Sequence, residues 1–546
     1  MCVPTGMQPV PLGAFHRAWR TWLKESEDLS KLPGIGKDLA GKIEEIVDTG
    51  KLKQLEELET RTPGALSRLM KIAGLGPKRV GELHKKLNIN SMEDLKDAVK
   101  KGKLKKLKGF GEKIEQAIEE ELSQAHDGDE RVKFAAVVEI ANSLVDYLKK
   151  DKSVKKVVVA GSYRRRKETV GDLDILSTCK KGSKVMDRFT GYEDVKKVVS
   201  QGKTRSTVIL RSGLQVDLRV VPEVSYGAAL HYLTGSKSHN IAVRKLGKKK
   251  KFKINEYGVF RGKKRIAGKT EKEVYDTVKL PFIEPELREN RGEIEAARKG
   301  NLPKLITLDD IRGDLHTHTK ETDGHHTLKE MAQAAKKRGY SYLAITNHSK
   351  RVTMVHGLDK KRLAKEIKQI DRLNSKLKNF TVLKSIEVDI LEDGSLDLPN
   401  DILKELDLTV CSVHYNTNLS RTKQTERIIR AMDNPYFTIF AHPTGRLINE
   451  RKPYEVDMEK VLMAASKQGC FVELNAHPDR LDLNDVDCKM AKEMGIPVAI
   501  STDAHSTTDL DYMRFGIGQA RRGWLEPDDV VNTRSLQKLK KLLKRK

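Results

Sequence analysis

The sequence predicts a multidomain chain in which a helical region is followed by an α+β region and then by an α/β barrel. Residues 14–125 form amphipathic runs broken by short glycine turns, and residues 128–222 alternate helical and strand patterns. From residue 311 onward, short apolar runs alternate with helical segments, which is typical of a parallel β/α barrel. At 546 residues, the chain is long enough for three or more domains with full cores.

The positive charge is concentrated in the first 300 residues. The whole chain has a net charge of +27. Residues 301–546 contain 41 Lys and Arg against 35 Asp and Glu, which leaves 63 against 42, or +21, for residues 1–300. This excess indicates a polyanionic partner, although a generally lysine-rich proteome would explain part of it. Ten of the 15 histidines follow residue 300, which indicates a second chemistry there.

Cysteine usage and hydropathy point to a cytoplasmic protein. The five cysteines are scattered without a CxxC pair, so we expect reduced thiols rather than a disulfide framework or a zinc ribbon. No stretch approaches 18 apolar residues, and the N-terminus lacks a signal-peptide pattern. We therefore expect a soluble, cytoplasmic monomer with no membrane partner.

Three similar turns in the helical region predict DNA binding. Each has a Gly-x-Gly core between helical runs, and they recur at intervals of 40 and 35 residues. Their glycines are Gly34, Gly36, Gly74, Gly76, Gly109 and Gly111. This is the helix-hairpin-helix pattern, in which the turn backbone and the next helix start approach a phosphate. A single Gly-x-Gly is a common turn, but three in a basic region predict DNA binding that is independent of base sequence.

A pair of aspartates follows a glycine turn in the α+β region. An apolar strand at residues 157–160 leads into Gly-Ser-Tyr-Arg-Arg-Arg at 161–166 and Gly-Asp-Leu-Asp-Ile at 171–175. On a strand, Asp172 and Asp174 face the same side, and such carboxylates suit Mg²⁺. The glycine-serine turn and the arginines are suitable donors for a triphosphate. An isolated Asp-x-Asp is most often a solvated pair, so the preceding turn matters to this interpretation.

A third carboxylate lies on a later strand. Residues 214–221 alternate so that Gln215, Asp217 and Arg219 share one face. Asp217 could therefore join Asp172 and Asp174 in a triad of the kind that two-metal phosphoryl transfer requires.

Polar residues also follow the apolar runs of the barrel region. They are His316, His318, Asp323, His348, Glu387, His414, His442, Asp503 and His505. Loops after parallel strands converge on one mouth of a barrel, where these ligands could hold up to three Zn²⁺ or Mn²⁺ ions. A single histidine after a strand is more often a core or surface residue, but here polar residues recur at the same end of successive strands. We expect the remaining histidines, His325, His326, His356 and His477, to support the ligands or lie at the surface.

The motifs of both halves have a counterpart in known families. The front half resembles the beta-like core of the family X DNA polymerases at residues 161–165, 171–174 and 217 and at the Tyr-Leu-Thr-Gly-Ser of 232–236. The back half resembles the PHP (polymerase and histidinol phosphatase) domain, and the order is similar to that of prokaryotic family X members. The resemblance implies a lyase-like domain with a shortened N-terminus (1–58), a fingers-type helical domain (59–127), a nucleotidyltransferase palm (128–222), a thumb (223–290), a linker (291–310) and a PHP barrel of the distorted (β/α)7 type (311–546).

The resemblance also implies residue roles. Asp172, Asp174 and Asp217 would bind two Mg²⁺ or Mn²⁺ ions, with Asp217 nearest the primer 3′-hydroxyl. The implied nucleotide and template contacts are Arg131, Ser162, Arg165, Gly171, Tyr232, Gly235, Asn240 and Arg244. Lys42 matches the lyase nucleophile that attacks a 5′-deoxyribose phosphate, and the alternative is an ordinary lysine on a helix surface. Asn347 stands where the PHP pattern commonly has aspartate, and we expect it to position ligands rather than to bind metal.

The expected function is gap-filling DNA synthesis in base excision repair from deoxynucleoside triphosphates on gapped or nicked DNA. The barrel is expected to hydrolyse phosphoesters at DNA 3′ ends as a 3′-5′ exonuclease, 3′-phosphatase or AP endonuclease. One alternative makes the front half a DNA-binding scaffold for a phosphoesterase. Another is a small-molecule nucleotidyltransferase joined to a histidinol-phosphatase-like enzyme, for which the hairpins and the charge would be unnecessary.

Overall fold

The computed structural model describes residues 131–180 and 183–543, together with residues 40–42, 45, 77–87, 89, 92–101, 103 and 104. The chain divides into two compact units, residues 1–130 and residues 131–546. In the first unit, helix α1 spans Pro77–Leu87 and α2 spans Met92–Lys100, and Leu83 and Leu95 are buried. The six hairpin glycines lie outside the described residues, so their contact with DNA stays a prediction.

The second unit begins with a five-stranded mixed sheet. Its strands are β2 (Val154–Val159), β4 (Asp172–Cys179), β5 (Val195–Gln201), β6 (Arg205–Leu210) and β7 (Gln215–Val220), in the order β2-β4-β7-β6-β5. Strands β4 and β7 are parallel and the other pairs are antiparallel. Helix α3 (Phe134–Lys149) buries its apolar face in the sheet's core cluster, and α4 (Gly161–Arg164) and α5 (Val185–Thr190) complete this layer.

The sequence pattern predicts a helix over residues 131–150, and in the structure helix α3 begins three residues later, at Phe134. Val132–Lys133 form strand β1, which pairs with β3 (Thr169–Val170) before α3 starts. The sequence pattern predicted the start of the helix too early, because Val132 and Lys133 pair with β3 instead of joining the helix. As a result Arg131 lies beside the loop that carries Asp172.

A smaller module follows the sheet. It contains α6 (Tyr226–Thr234), α7 (Lys237–Lys249), α8 (Glu271–Thr277), α9 (Glu293–Lys299) and an antiparallel sheet of β8 (Lys253–Asn255), β9 (Gly258–Arg261) and β10 (Lys264–Ala267). Helix α9 lies in the segment predicted as a linker. Its Ile294 and Ala297 pack with Val274 and Tyr275 in the core of this module, so the segment is part of the fold.

The last region is built from eight parallel strands in two sheets. The first sheet contains β11 (Gly313–Asp314), β12 (Tyr342–Ile345) and β13 (Thr381–Lys384). The second contains β14 (Glu387–Asp389), β15 (Val410–Ser412), β16 (Ile439–Phe440), β17 (Phe471–Asn475) and β18 (Val498–Ser501). Connecting helices cover them: α10 (Leu328–Lys337), α11 (Lys360–Asn374), α12 (Asn400–Leu403), α13 (Arg421–Met432), α14 (Met458–Gln468), α15 (Asp485–Glu493), α16 (Met513–Arg522) and α17 (Leu536–Leu543).

Single parallel bridges join the two sheets on both sides. Thr317 pairs with Ala504, and His348 pairs with Glu387. The predicted β/α alternation is confirmed, because each of the six apolar runs overlaps a strand. These runs are residues 342–345, 380–386, 408–410, 437–440, 470–474 and 497–500. The run at 380–386 contains only β13, and the chain then shifts at residues 385 and 386 before β14 pairs with β15. This shift places Glu387 at the seam between the sheets.

The mixed sheet and the parallel-strand region share apolar packing. Ile448, Leu481 and Phe515 of the last region belong to the same buried cluster as Phe134. Lys133 bridges Glu450 at 2.5 Å and Asp479 at 2.6 Å beside this packing.

The described cysteines are free thiols, and three of the four are buried. Among the helices of the described residues, none is long and apolar enough to cross a membrane.

Candidate active sites

Three carboxylates converge on the mixed sheet. Asp174 on β4 pairs in register with Asp217 on β7, and Asp172 lies two residues earlier on the same face. Their candidate ligand oxygens all lie within 4.8 Å of one another. The alternation inferred from residues 214–221 thus brings Asp217 to the two other aspartates, as predicted.

Asp217 is fixed by hydrogen bonds from its neighbours. Its Oδ1 accepts from Thr207 Oγ1 and, at 3.2 Å, from Arg205, and its Oδ2 accepts from Gln215 at 3.1 Å. Thr207 sits opposite Asp217 in the β6–β7 ladder, so sheet register sets this contact.

The three carboxylates of the triad repel one another when no cation is present. Burial, followed by the charges of Asp172 and Asp217, raises the pKa of Asp174 to about 7. Burial and the charge of Asp217 also raise the pKa of Asp172. A cation between these oxygens would relieve the repulsion, and an all-oxygen donor set fits Mg²⁺ or Mn²⁺.

The glycine turn before the triad leaves no room for a side chain. Gly161 has φ +60°, and a Cβ there would lie 2.6 Å from Asp174 Oδ2. A Cβ at Gly171 would lie 3.1 Å from Arg131 Nη1. Arg131 is held in turn by Thr169, through its Nε at 2.9 Å and its Nη2 at 2.6 Å. These contacts place Arg131 and Gly171 beside Asp172, and their binding of a nucleotide stays a prediction.

The predicted residues of the smaller module approach the same turn through Arg165. The Arg165 guanidinium donates to the Thr234 carbonyl and, at 3.0 Å, to Glu289. A Cβ on Gly235 would lie 3.2 Å from Arg165 Nη1. The Ser162 hydroxyl is buried and has no hydrogen-bond partner in the described part of the chain, so it remains available to an incoming acceptor.

The other predicted contacts lie on α6 and α7. Tyr232 is partly exposed, and its carbonyl accepts from the Asn240 side chain at 2.8 Å. The Arg244 Nε donates to the Asn240 carbonyl at 3.4 Å, and the Arg244 side chain is exposed. The structure therefore brings Tyr232, Asn240 and Arg244 together on one side of this module, and their contacts with a nucleotide or template stay predictions.

A second cluster lies at the carboxyl ends of the parallel strands. Eight of the nine predicted ligands form three overlapping groups whose candidate donor atoms lie within 4.8 Å of one another. The groups are His318 with Asp323, His348 and His505; His316 with His318 and Asp503; and His348 with Glu387 and His414. The ninth, His442, belongs to none of them, but its Nε2 lies 3.0 Å from Glu387 Oε1.

Several buried nitrogen and oxygen atoms in this cluster make no hydrogen bond of good geometry, although oppositely charged atoms lie close, as with His348 Nδ1 at 2.9 Å from Glu387 Oε2. Within the described residues, they are His316 Nε2, His318 Nδ1 and Nε2, His348 Nδ1 and Glu387 Oε2. Buried polar atoms of this kind are rare unless a ligand satisfies them. Nitrogen and carboxylate donors in overlapping groups fit borderline cations such as Zn²⁺ or Mn²⁺.

The charges of the cluster compensate one another. Burial would lower the pKa of His348, but Glu387 and Asp323 raise it to about 10. Burial together with neighbouring histidines lowers the pKa of His318 to about 4. The pKa of Glu387 would rise on burial, but the surrounding histidines hold it well below its usual value.

Sequence reasoning missed the residues that orient these ligands. Glu473 on β17 accepts from His316 Nδ1 at 2.7 Å and from the His442 backbone N–H at 2.7 Å. Asn475 donates to Glu473 and Asp503 at 3.2 and 3.1 Å, and Asp389 contacts His414 Nδ1 at 3.2 Å. A fully buried glutamate inside an apolar strand was a signal that could have identified Glu473.

The Asn347 side chain is held by hydrogen bonds to the loop after His318 and to Glu366. Its amide oxygen accepts from the Thr319 N–H at 2.8 Å, and its NH₂ donates to Glu366 and to Thr319 Oγ1. Burial raises the pKa of Glu366 to about 8. Asn347 thus fixes the loop after His318, in agreement with the expectation that it positions ligands.

The remaining histidines lie outside the ligand groups. His325 and His356 are exposed, and His326 and His477 are partly exposed. His326 Nδ1 accepts from the Thr507 N–H at 3.3 Å near His505, and the His477 ring packs against Tyr512.

Comparisons with known proteins match both sites to families. Residues 130–228 match the DNA polymerase beta palm, residues 229–289 the DNA polymerase beta thumb and residues 66–124 a SAM-like helix-hairpin-helix tandem. Residues 314–477 match the PHP domain.

Relatives cover the chain in different ways. The DNA polymerase/3′-5′ exonuclease PolX of Bacillus subtilis is 38% identical over 99% of this chain and 96% of its own length. A probable phosphatase of Thermoanaerobacter is 33% identical over 43% of this chain and 94% of its own length. DNA polymerase lambda of Arabidopsis thaliana is 27% identical over 49% of this chain and 55% of its own length. The continuous match to the first of these, across both carboxylate and histidine clusters, means that the chain belongs to the PolX family, in which family X polymerase modules precede a PHP domain.

Proposed function

We propose that this chain is a DNA-directed DNA polymerase that fills short gaps in base excision repair, and that its PHP domain is a 3′-5′ exonuclease. The observation that carries the first part is the convergence of Asp172, Asp174 and Asp217 beside the Gly161 turn. A pure DNA-binding scaffold would not need three mutually repelling carboxylates at one point, because their repulsion costs stability.

The palm residues fit the steps of nucleotidyl transfer. Two Mg²⁺ or Mn²⁺ ions bound by the triad would neutralise phosphate charge and favour an ionised 3′-hydroxyl. Asp217, held by Thr207 and Gln215, would lie nearest the primer 3′-hydroxyl. Ser162 and Arg165 would donate to the triphosphate, and Tyr232 and Gly235 would check the sugar.

The PHP residues fit hydrolysis at phosphorus. Zn²⁺ or Mn²⁺ held by the nine predicted ligands would activate water and stabilise the leaving oxygen. Glu473 and Asp389 would set the orientation of His316 and His414 through their Nδ1 atoms. Exonuclease activity is favoured over simple phosphatase activity because the relative with that name matches 99% of the chain, whereas the probable phosphatase matches 43%.

The proposal also covers Lys42 and the helix-hairpin-helix turns. Lys42 lies in helical backbone and is partly buried, and its role as a lyase nucleophile stays a prediction. We infer a cytoplasmic monomer that binds gapped or nicked DNA through the helix-hairpin-helix turns. Binding that rests on phosphate contacts should weaken steeply with salt.

Primer extension on DNA with a short gap tests both activities in one assay. The primer is labelled at its 5′ end, and deoxynucleoside triphosphates are supplied or omitted in the presence of Mg²⁺ or Mn²⁺. We expect extension to the end of the gap with nucleotides and stepwise shortening without them. Retained DNA binding without extension would favour the scaffold alternative, and loss of only a terminal 3′-phosphate would favour a phosphatase.

A further inference from the structure

A helix of the PHP domain packs against the end of the glycine-serine turn at residues 161–166. On α16, a Cβ at Gly518 would lie 3.4 Å from the Arg166 side chain. Phe515 of the same helix meets the Phe134 ring edge-on, with centroids 6.1 Å apart. Helix α16 therefore reaches the palm at the residues that directly follow Ser162 and Arg165.

Arg522, at the end of α16, contacts the turn itself. Its Nη1 donates to the Arg165 backbone carbonyl at 2.9 Å and to Glu289 Oε1 at 3.0 Å. Its Nη2 donates to Asp485 at 2.6 Å. The Arg522 side chain is only 3% exposed, so these are buried, charge-assisted contacts.

Glu289 is shared by two arginines. Oε1 of this thumb residue accepts from Arg165 Nε at 3.0 Å and from Arg522 Nη1 at the same distance. Burial would raise the pKa of Glu289, but Arg165 and Arg522 hold it below its usual value. Asp485, the third acceptor of Arg522, also accepts from Arg291 at 2.9 Å. Segments of the PHP domain, the palm and the thumb therefore meet at Arg522.

We propose that Arg522 is a positioning residue through which the PHP domain holds Arg165 ready for the incoming triphosphate. The inference rests on the proposed polymerase function. Arg522 anchors the backbone of Arg165 and also neutralises part of the Glu289 charge. The Arg165 guanidinium can then leave Glu289 for a phosphate at a smaller electrostatic cost, because Glu289 keeps a partner.

Loss of Arg522 should leave Glu289 to pair with Arg165 alone. The tighter pair would oppose the transfer of the Arg165 guanidinium to the triphosphate, and the carbonyl of Arg165 would lose its donor. Nucleotide affinity should therefore fall, whereas the chemical step at the aspartate triad should change little. The PHP ligands do not contact Arg522, so 3′-end hydrolysis should be preserved.

The full-length enzyme allows a matched comparison at adjacent positions. Arg521 also joins α16 to the thumb, through Glu286 at 2.8 Å and the Ile306 carbonyl at 3.1 Å, but has no contact with Arg165 or Glu289 in the described structure. Single-nucleotide insertion kinetics on gapped DNA are measured for Arg522→Ala, Arg522→Lys and Arg521→Ala. We expect Arg522→Ala to raise KM for the nucleotide about ten-fold and to leave kcat within about two-fold of wild type. For Arg521→Ala, we expect KM within about two-fold of wild type.

A second substitution tests the charge argument directly. Glu289→Gln in the Arg522→Ala background removes the charge that competes for Arg165, and we expect it to recover part of the lost nucleotide affinity. Arg522→Lys keeps the charge but cannot make all three contacts, so an intermediate KM is expected, and it substitutes for Arg522→Ala if that variant fails to fold. Metal-dependent 3′-end hydrolysis serves as the folding control for each variant.

The outcomes separate this inference from the proposed function. If the wild type is active and Arg521→Ala changes KM as much as Arg522→Ala does, Arg522 contributes only to general packing between the domains. That result would overturn the inference. An unchanged KM in both Arg522 variants would do the same, as would a further loss of affinity on adding Glu289→Gln. Absence of nucleotide insertion by the wild type would instead contradict the polymerase function on which the inference rests.

Discussion

The two metal-site candidates differ in donor chemistry and in burial. The palm triad offers only oxygen, and it runs from buried Asp217 through half-buried Asp174 to Asp172 at the protein surface. The PHP cluster mixes histidine nitrogen with carboxylate oxygen, and His316, His318 and Glu387 are almost fully buried. Oxygen ligands near solvent suit ions that arrive with a substrate phosphate, whereas a buried nitrogen-rich set suits ions retained between turnovers. One chain thus combines an open site with an enclosed one.

The largest expected effect separates the sites. Asp217→Ala removes the carboxylate that Thr207 and Gln215 orient, so we expect nucleotide addition to fall at least about 1,000-fold while 3′-end hydrolysis persists. Gap filling and primer shortening measure the two activities. Asp146→Ala, at an exposed aspartate on α3, is the control and should retain both. Loss of both activities in a folded Asp217→Ala protein would contradict two independent sites.

The converse substitution lies in the PHP cluster. His348 belongs to two of the three ligand groups, so His348→Ala should remove bound metal and lower 3′-end hydrolysis about 100-fold or more, with nucleotide addition retained. Metal content by elemental analysis and hydrolysis of labelled DNA provide the readouts. His356→Ala removes an exposed histidine and should change neither. Unchanged metal content in His348→Ala would contradict the ligand assignment.

A smaller effect is expected from the residue behind the ligands. Glu473→Gln keeps the shape of the side chain but removes the negative charge beside His316 Nδ1, so metal affinity or hydrolysis should fall about 10- to 100-fold. Titration of metal into the chelator-treated protein measures the affinity. Added metal should restore much of the activity, and a defect that metal does not relieve would point to misfolding instead.

The smallest effect concerns stability without metal. In the folded protein the pKa of Asp174 is raised from 3.8 to about 7, so its ionised form destabilises the folded state increasingly as pH rises from 3.8 to 7. Asp174→Asn should therefore stabilise the metal-free protein by about 1 kcal/mol at pH 8, and less at pH 5. Thermal unfolding in chelator measures the difference. Asp146→Asn should show no such pH dependence, and an equal gain at both pH values would refute the electrostatic cause.

Much of both sites could be predicted because the signals are local. Strand alternation placed Asp217 on the face of Asp174, and the position of ligands after apolar runs identified the PHP cluster. The triad groups and eight of the nine PHP residues come together as those patterns indicate.

What could not be predicted depends on distant parts of the chain. The contact of Arg522 with Arg165 joins residues 357 positions apart, and its existence depends on how α16 docks. Glu473 could be noticed as a charge within an apolar run, but its role depends on a contact with His316, 157 positions away. Strands β8 to β10 are stabilised by pairing with each other, which no local pattern in their lysine-rich sequence indicates.

The shared apolar packing of Phe134 with Ile448, Leu481 and Phe515 has a consequence for dissecting this enzyme. A polymerase fragment cut before residue 311 would expose that face to water and would also leave Lys133 without Glu450 and Asp479. Its behaviour would then report on a damaged fold rather than on an independent module. Because this packing joins the palm to the PHP domain, we expect a primer end that needs trimming to reach the second site by movement of the DNA rather than of the two domains.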